Sequence, residues 1–270
     1  MIKQAIIPLA GLGSRLLPLS SVIPKELLPI NGKPGIEYIL DECIESGITD
    51  IIFIISKNKE SIKKYFNNDS FYKKIIKKGN NKDLKLKYKK IKKYKKMIKF
   101  VYQNSPRGTG DAVLKCEKII KSKFFLMLMP DDLIIKNNCS KSMIALHKKY
   151  KSSLIASKKV ERNNVSRWGI FDYKKINKRN FFIKDVIEKP KTNLAPSNYA
   201  VIGRYILPKK IFSILKKQKP GQNGEIHITD AIKTLINKNN KFIGHIFAGK
   251  YLDCGTMKGY INSALEISKL

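Results

Sequence analysis

Two short apolar runs near the start of the chain, Gln4–Pro8 (QAIIP) and Asp50–Ser56 (DIIFIIS), leave little choice of architecture. The second is continuous rather than alternating, so both of its faces must be covered, and such a strand sits inside a sheet with layers above and below it. Between the two runs Ile36, Ile39, Leu40, Cys43 and Ile44 recur at i, i+3, i+4, i+7 and i+8. That spacing predicts one apolar face of a helix, ended by Gly47. Strand, helix, strand is the repeating unit of a parallel sheet.

The alternation continues along the chain. A lysine-rich, helical excursion is expected through residues 58–97, then a strand over 98–103, a helix over 109–121 and a strand over 124–129 (FFLMLM), followed at once by Pro130-Asp131-Asp132. Strands are next expected at 152–160, 169–173, 181–187 and 198–206, a helix at 227–237, a strand at 241–247 and a helix from about 257. The second half therefore reads as a more antiparallel region added to the same sheet, with no Pro/Gly/Ser linker between the halves. The fold class is α/β, with helices on both faces. A chain of 270 residues is long enough for a substantial core, and a single domain over 1–270 is expected. Ligands of such sheets bind beyond the carboxyl ends of the strands, where the turn at Gly11 and the Asp131-Asp132 pair both fall.

Net charge is +34, which taken alone suggests a polyanionic partner. Its distribution argues otherwise. Residues 71–100 carry fourteen lysines against one aspartate, and the remaining excess is spread thinly. Only six of the 55 basic residues are arginine, the side chain whose planar fork reads base edges. Lysine, isoleucine and asparagine are all abundant, as an A/T-rich coding sequence would favour, so nucleic acid is not the expected partner. The cysteines, Cys43, Cys116, Cys139 and Cys254, show no C-x-x-C pairing and fit a reducing cytoplasm. No stretch approaches the roughly 18 apolar residues of a membrane span. The apolar run at the N-terminus is too short for the core of an export signal, so a soluble, unexported protein is expected.

Gly11-Leu12-Gly13 is half of a dinucleotide fingerprint, but Leu16 stands where the third glycine should be and no ribose-binding acid follows the second strand. There is no P-loop either. What gives the turn chemical meaning is Arg15 and the Pro24-Lys25-Glu26 segment that follow it. Bare backbone amides can approach phosphate oxygens, and paired cations can neutralise the charge that builds on a departing pyrophosphate. Asp131, ending an apolar strand, suits either a turn or a hard cation. Gln103, also at a strand end, carries an amide able to donate and accept together. Glu188 and Lys189 sit on adjacent positions, which a strand points apart unless the backbone turns before Pro190. The three histidines show no metal spacing.

From Gly11 to Pro29 the pattern G-x-G-[ST]-R-x-x-P-x-[ST]-x-x-x-P-K-E-x-L-P resembles the signature of the sugar-1-phosphate nucleotidylyltransferases. Within them the chain is most similar to the bacterial UTP–glucose-1-phosphate uridylyltransferases. The likeness runs through KPGIEYILDECIESGI, GTGDAVL, LMPDDLI, RWGIFD, VIEKPK, APSNYAVIGRYIL, GEIHITDAI and YLDCGTMKGY in order.

The resemblance implies a Rossmann-like mixed sheet of the nucleotide-diphospho-sugar transferase type, with a nucleotide-binding half at 1–135 and a sugar-binding half at 136–270. It implies UDP-glucose and pyrophosphate made from UTP and glucose 1-phosphate by in-line, Mg²⁺-assisted transfer. Arg15 and Lys25 would be catalytic. Ala10, Gly11, Gly13, Gln103 and Gly108 would bind the nucleotide; Gly169, Glu188, Lys189, Val201 and Gly203 the sugar phosphate; Asp131 and, by analogy, Asp253 the metal. Gly108 and Gly110 would free the chain to approach the base. Asp132 stands where these enzymes carry an apolar residue and reads as peripheral, Asp111 replaces a histidine, and Ser21 replaces a basic residue. Alternatives are another nucleotide and sugar pair such as dTTP and glucose 1-phosphate, a basic nucleic-acid-binding protein on this scaffold, or a non-catalytic homologue. Homo-oligomer formation stays open, with a tetramer disfavoured by the short chain after the last helix.

Overall fold

The computed structural model describes residues 1–79, 81–221 and 224–270. Strand β1 (Gln4–Pro8) leads into the glycine loop, a hairpin of β2 (Pro29–Ile30) and β3 (Lys33–Pro34), and helix α1 (Gly35–Glu45). Strand β4 (Asp50–Ile55) is followed by α2 (Glu60–Asn67), α3 (Asp69–Lys78), α4 (Lys82–Met97) and β5 (Ile98–Tyr102). Then come α5 (Thr109–Leu114), β6 (Phe124–Leu128), β7 (Asp132–Ile135), α6 (Cys139–Tyr150), β8 (Ser153–Lys159), β9 (Gly169–Lys175) and β10 (Asn180–Glu188). The chain closes with β11 (Tyr199–Pro208), α7 (Ile211–Leu215), α8 (Ile228–Asn237), β12 (Phe242–Ile246), β13 (Lys250–Asp253) and α9 (Met257–Ser268).

Nine strands form one sheet in the order β5-β4-β1-β6-β11-β8-β12-β10-β9. β5, β4, β1 and β6 are mutually parallel, whereas β11 runs antiparallel to both β6 and β8, and β10 antiparallel to β12 and β9. The sheet is therefore mixed in the manner expected: a parallel first half, continued through β11 into a more antiparallel second half. Alternate residues of β4 feed opposite cores, with Ile51, Phe53 and Ile55 on one side and Ile52 and Ile54 on the other. No helix among the described residues is long and apolar enough to cross a membrane.

The structure departs from the sequence reading in several places. The helix expected over 109–121 stops at Leu114, because the following amides bond to carbonyls three residues back (Cys116 to Val113, Glu117 to Leu114, Ile119 to Cys116) and wind into tighter turns. β7, β13, α6 and α7 were not foreseen. β7 and β13 are short partners of each other, and their pairing sets Asp132 opposite Asp253. The lysine-rich excursion is helical and docked, with Asn80 outside the described residues. On α4, Ile91 and Tyr94 enter the core, and the Tyr94 hydroxyl donates to Asp41 on α1 (2.5 Å), joined there by Lys90 (2.9 Å) and Lys33 (2.6 Å).

One buried ion pair ties the halves together. Arg204, on β11, is fully buried and donates from Nε and NH2 to the Glu42 carboxylate of α1 at 2.8–3.0 Å. Its other hydrogens reach the carbonyls of Gly203 (2.9 Å), Met129 (3.3 Å) and Asp132 (2.7 Å), so the guanidinium is satisfied and the loop between β6 and β7 is held from below.

A second buried group makes stability sensitive to acid. His245 on β12 pairs through Nδ1 with Asn180 Oδ1 (2.9 Å), and burial, then the nearby Arg179 charge, pushes its pKa down to about 4. The unfolded chain takes up this proton near its ordinary value, so the folded state loses ground as pH falls from about 6.5 towards 4. At ~1.4 kcal/mol per pKa unit, the loss attributable to His245 is about 3 kcal/mol. Urea unfolding at pH 7 and pH 4.5 should show a smaller acid loss in His245→Gln than in the unaltered protein. An equal loss in both would assign the acid sensitivity elsewhere.

Candidate active site

The loop leaving β1 at its carboxyl end takes 3₁₀ turns at Ser14–Leu16 and Leu19–Ser21 and is closed on itself by Ser20 Oγ, which donates to the Gly13 carbonyl (2.8 Å). Ser21 donates only to Pro18 (2.6 Å), a local turn bond. Beside this loop lies a cleft of about 300 Å³ whose walls include Ala10, Gly11, Gly13, Lys25, Gln103 and Gly108. Every residue expected to meet the nucleotide is thus in one place. The cleft sits where the parallel strands end and the sheet changes direction.

The Gln103 amide differs from expectation. Its nitrogen donates to Asp111 Oδ2 (2.7 Å) and to the Gly108 carbonyl (3.3 Å), so its donor half is already engaged. Gly108 and Gly110 are also bare for a reason within the protein. A Cβ on either would lie 2.6–2.8 Å from the Ile226 carbonyl, whose chain crosses over them and accepts the Gly110 N–H (2.7 Å). The close approach is to the segment before α8.

At the mouth of the cleft five charges gather. Lys25 Nζ donates to Asp131 Oδ2 (2.5 Å). Asp253 Oδ1 accepts from the Gly255 amide (2.8 Å), and its Oδ2 from Arg167 (3.1 Å). A Cβ placed on Gly255 would lie 3.0 Å from Asp131 Oδ2, 3.1 Å from Asp253 Oδ1 and 3.5 Å from Arg15 NH2. Two carboxylates and the Arg15 guanidinium therefore converge on one small volume, which a side chain at position 255 would crowd. Burial works against the Lys25 ammonium, but Asp131 and then Glu26 outweigh it and hold its pKa above the ordinary lysine value. Burial likewise works against the Asp131 carboxylate, and the Lys25 charge and hydrogen bond overcome it, keeping the acid ionised.

Among the described residues no three His, Cys, Asp or Glu side chains gather as a metal cage. Two hard oxygen donors converging beside a phosphate-sized cleft instead suit Mg²⁺, which commonly takes one or two carboxylates and completes its shell with water and substrate phosphates.

In the half expected to meet the sugar, β10 pairs with β9 so that Glu188 lies opposite Gly169, and a Cβ on Gly169 would meet Val201 Cγ2 at 3.1 Å and Glu188 Oε2 at 3.2 Å. Gly169, Glu188 and Val201 are thus neighbours. The strand ends at Glu188 and the backbone does turn: Lys189 has φ +43° and donates its N–H to the Trp168 carbonyl (3.1 Å). Gly203 does not fit its expected role, because its N–H donates to Asp132 Oδ2 (2.8 Å) and its carbonyl accepts from Met129 and Arg204. Asp132 is accordingly not peripheral. Between the Gly203 amide and the Tyr251 hydroxyl (2.7 Å) it fastens β7 to β11 and β13, and burial, then the adjacent Asp131, raises its pKa to about 6.

Sequence reasoning passed over Glu26, Lys59 and Arg167. Lys59, just before α2, donates to both oxygens of the buried Glu26 (2.7 and 2.9 Å), pinning the residue next to Lys25. The P-K-E pattern held that signal, but nothing local pointed to a partner thirty-three residues on. Arg167, in the quoted RWGIFD, reaches Asp253 only through the fold.

Residues 4–269 match the nucleotidyl transferase family. The UTP–glucose-1-phosphate uridylyltransferase of Bacillus subtilis is 35% identical over 271 residues, covering 99% of this chain and 91% of that protein. A crystal structure of UDP-glucose pyrophosphorylase complexed with UDP-glucose superposes with TM-score 0.89 at 36% identity, covering 100% of this chain and 99% of the other. A UTP-bound UGPase from Acinetobacter baumannii gives TM-score 0.89 at 31% identity, covering 99% and 93%.

Proposed function

Since the chain belongs to the nucleotidyl transferase family, we propose that its cleft joins UTP to glucose 1-phosphate, giving UDP-glucose and pyrophosphate. A phosphate oxygen of the sugar attacks the α-phosphorus of UTP, the α–β bridging bond breaks, and its electron pair leaves on pyrophosphate. The observation that carries this reading is the convergence of Arg15, Lys25, Asp131 and Asp253 at the mouth of a cleft lined by Gln103 and the glycine loop.

The chain's own work is positioning and charge stabilisation. The Gly11–Gly13 loop lies against the triphosphate, Gln103 and Gly108 face the base, and Glu188 and Val201 border the hexose, with Lys189 near its phosphate. Arg15 and Lys25 stabilise the charge developing on the leaving pyrophosphate. Asp131 and Asp253 would hold Mg²⁺, which when bound neutralises phosphate charge and orients the oxygens. A cytoplasmic setting belongs to the same proposal.

The test is pyrophosphate release from a matrix of UTP, dTTP, CTP, ATP and GTP against glucose, galactose and mannose 1-phosphates, with each component and Mg²⁺ omitted in turn. UTP with glucose 1-phosphate should give the highest kcat/KM, and no pyrophosphate without added divalent cation. Preference for dTTP would move the protein to another nucleotide and sugar pair. Absence of turnover with every pair, together with tight salt-sensitive DNA binding, would favour a nucleic-acid role for the lysine-rich helices.

A further inference from the structure

We infer that Asp111 sets the base selectivity of the cleft, by holding Gln103 so that it offers the nucleobase an acceptor and no donor. The inference rests on the nucleotide reading above and deepens it. Asp111, in the first turn of α5, has a side chain only 3% exposed. Its Oδ1 is taken by Arg107 NH2 (3.1 Å) and Lys115 Nζ (3.5 Å), and its Oδ2 by Gln103 Nε2 (2.7 Å). The second hydrogen of that same nitrogen points to the Gly108 carbonyl (3.3 Å).

Both neighbours of the amide nitrogen are acceptors alone, a carboxylate and a carbonyl, so the NH₂ must face them and the oxygen cannot. Turning the amide over would set Oε1 against two oxygens and leave buried acceptors unpaired. Gln103 lines the cleft and is itself 4% exposed, and no described group donates to its Oε1. That oxygen is what it has left for a ligand.

An acceptor fixed at this point favours a base presenting a ring N–H, which uracil and thymine do at N3. Cytosine presents a lone pair at N3 and meets a lone pair. The Gly108 N–H, which no described residue accepts and which borders the same cleft, is available to the carbonyl beside that N–H. An amide free to flip would serve either pyrimidine; Asp111 removes the choice. Asp111 is a positioning residue, acting on the base through Gln103.

Binding of Mg²⁺–UTP and Mg²⁺–CTP, measured by calorimetry, tests this without relying on turnover. The unaltered protein should prefer UTP by at least about a hundredfold, since a buried polar group left unpaired by the wrong ligand is strongly discriminating. In Asp111→Asn the new amide can present its NH₂ to Gln103, letting that side chain flip and offer a donor. The UTP:CTP ratio should then fall by about tenfold or more, with CTP bound more tightly in absolute terms. Damage to packing alone would weaken both nucleotides together and would overturn the assignment, as would an unchanged ratio. Asp111→Glu, still acceptor-only, should keep the preference.

One arm needs no variant. 3-Methyluridine triphosphate, lacking the N3–H, should bind the unaltered protein no better than CTP, and binding close to that of UTP would sink the proposal. If the unaltered protein binds no nucleoside triphosphate, the nucleotide reading of the cleft falls with it. If it binds UTP well but Asp111→Asn keeps the ratio, only the role of Asp111 falls.

Discussion

Lys25→Ala should lower kcat/KM for UDP-glucose formation by on the order of 10²–10³, because a fixed cation aimed at charge that appears in the transition state is worth about that much. Loss confined to kcat would show that the interaction is made mainly in the transition state. The ion pair with Asp131 adds a second readout. A metal ion held by Asp131 would have to compete with the Lys25 ammonium, 2.5 Å from Oδ2. Removing the ammonium frees that oxygen, so the Mg²⁺ concentration giving half-maximal rate should fall even as the rate itself collapses. Arg15→Ala should reduce kcat/KM comparably without that gain, since Arg15 makes no hydrogen bond or ion pair with either carboxylate and leaves both Asp131 oxygens uncovered, acting on that acid through its charge alone. Near-normal turnover in both variants would end the catalytic assignment. Collapse of rate with a raised Mg²⁺ requirement in Lys25→Ala would instead make the lysine a support of the metal site.

Glu42→Ala should destabilise the fold by about 3–5 kcal/mol, the cost of stranding a buried charge. Arg204 is fully buried and takes both oxygens of Glu42, and Ser140 also donates to Oε1 through its backbone N–H (3.1 Å) and its hydroxyl (2.5 Å). With the carboxylate gone, the guanidinium keeps only carbonyl hydrogen-bond partners and the weaker counter-charge of Asp132. Urea denaturation at pH 7 measures the loss. The double variant Glu42→Met with Arg204→Leu should recover much of it, because a buried ion pair is often no better than a packed apolar pair. The site should still suffer in the double variant. Arg204 NH2 holds the Asp132 carbonyl (2.7 Å), and that bond steadies the segment carrying Asp131. Full stability with reduced kcat/KM would separate the two duties of Arg204. A loss below 1 kcal/mol in Glu42→Ala would show that the pair is dispensable.

Much of the frame was legible because local patterns and the sheet demanded the same thing. DIIFIIS is apolar at every position between its ends, and β4 is indeed buried on both sides. Pro190 left open a turn at Lys189, and the chain turns there with a positive φ. What stayed hidden were partners distant in sequence. Gly203 read as a pocket-lining glycine, yet its amide is spent on Asp132, seventy-one residues away. Glycine tells only that a side chain is not tolerated; it does not tell what fills the space. Gly110 makes the same point, since its missing Cβ leaves room for the Ile226 backbone. Asp132, beside Asp131 in sequence, could equally have joined the charged centre. The pairing of β7 with β13 set the two acids to different work.

By itself the sequence determined the layered α/β sheet, the glycine loop and the pair Arg15 and Lys25 near it, because hydrophobic period and backbone permissiveness are local properties that survive whatever the rest of the chain does. Only the tertiary structure decided that Asp131 and Asp253, 122 positions apart, meet over Gly255, and that Asp111 claims the donor half of Gln103. Those outcomes depend on which buried polar groups find partners, and in a packed interior that is settled by distance in space, to which spacing along the chain gives no measure.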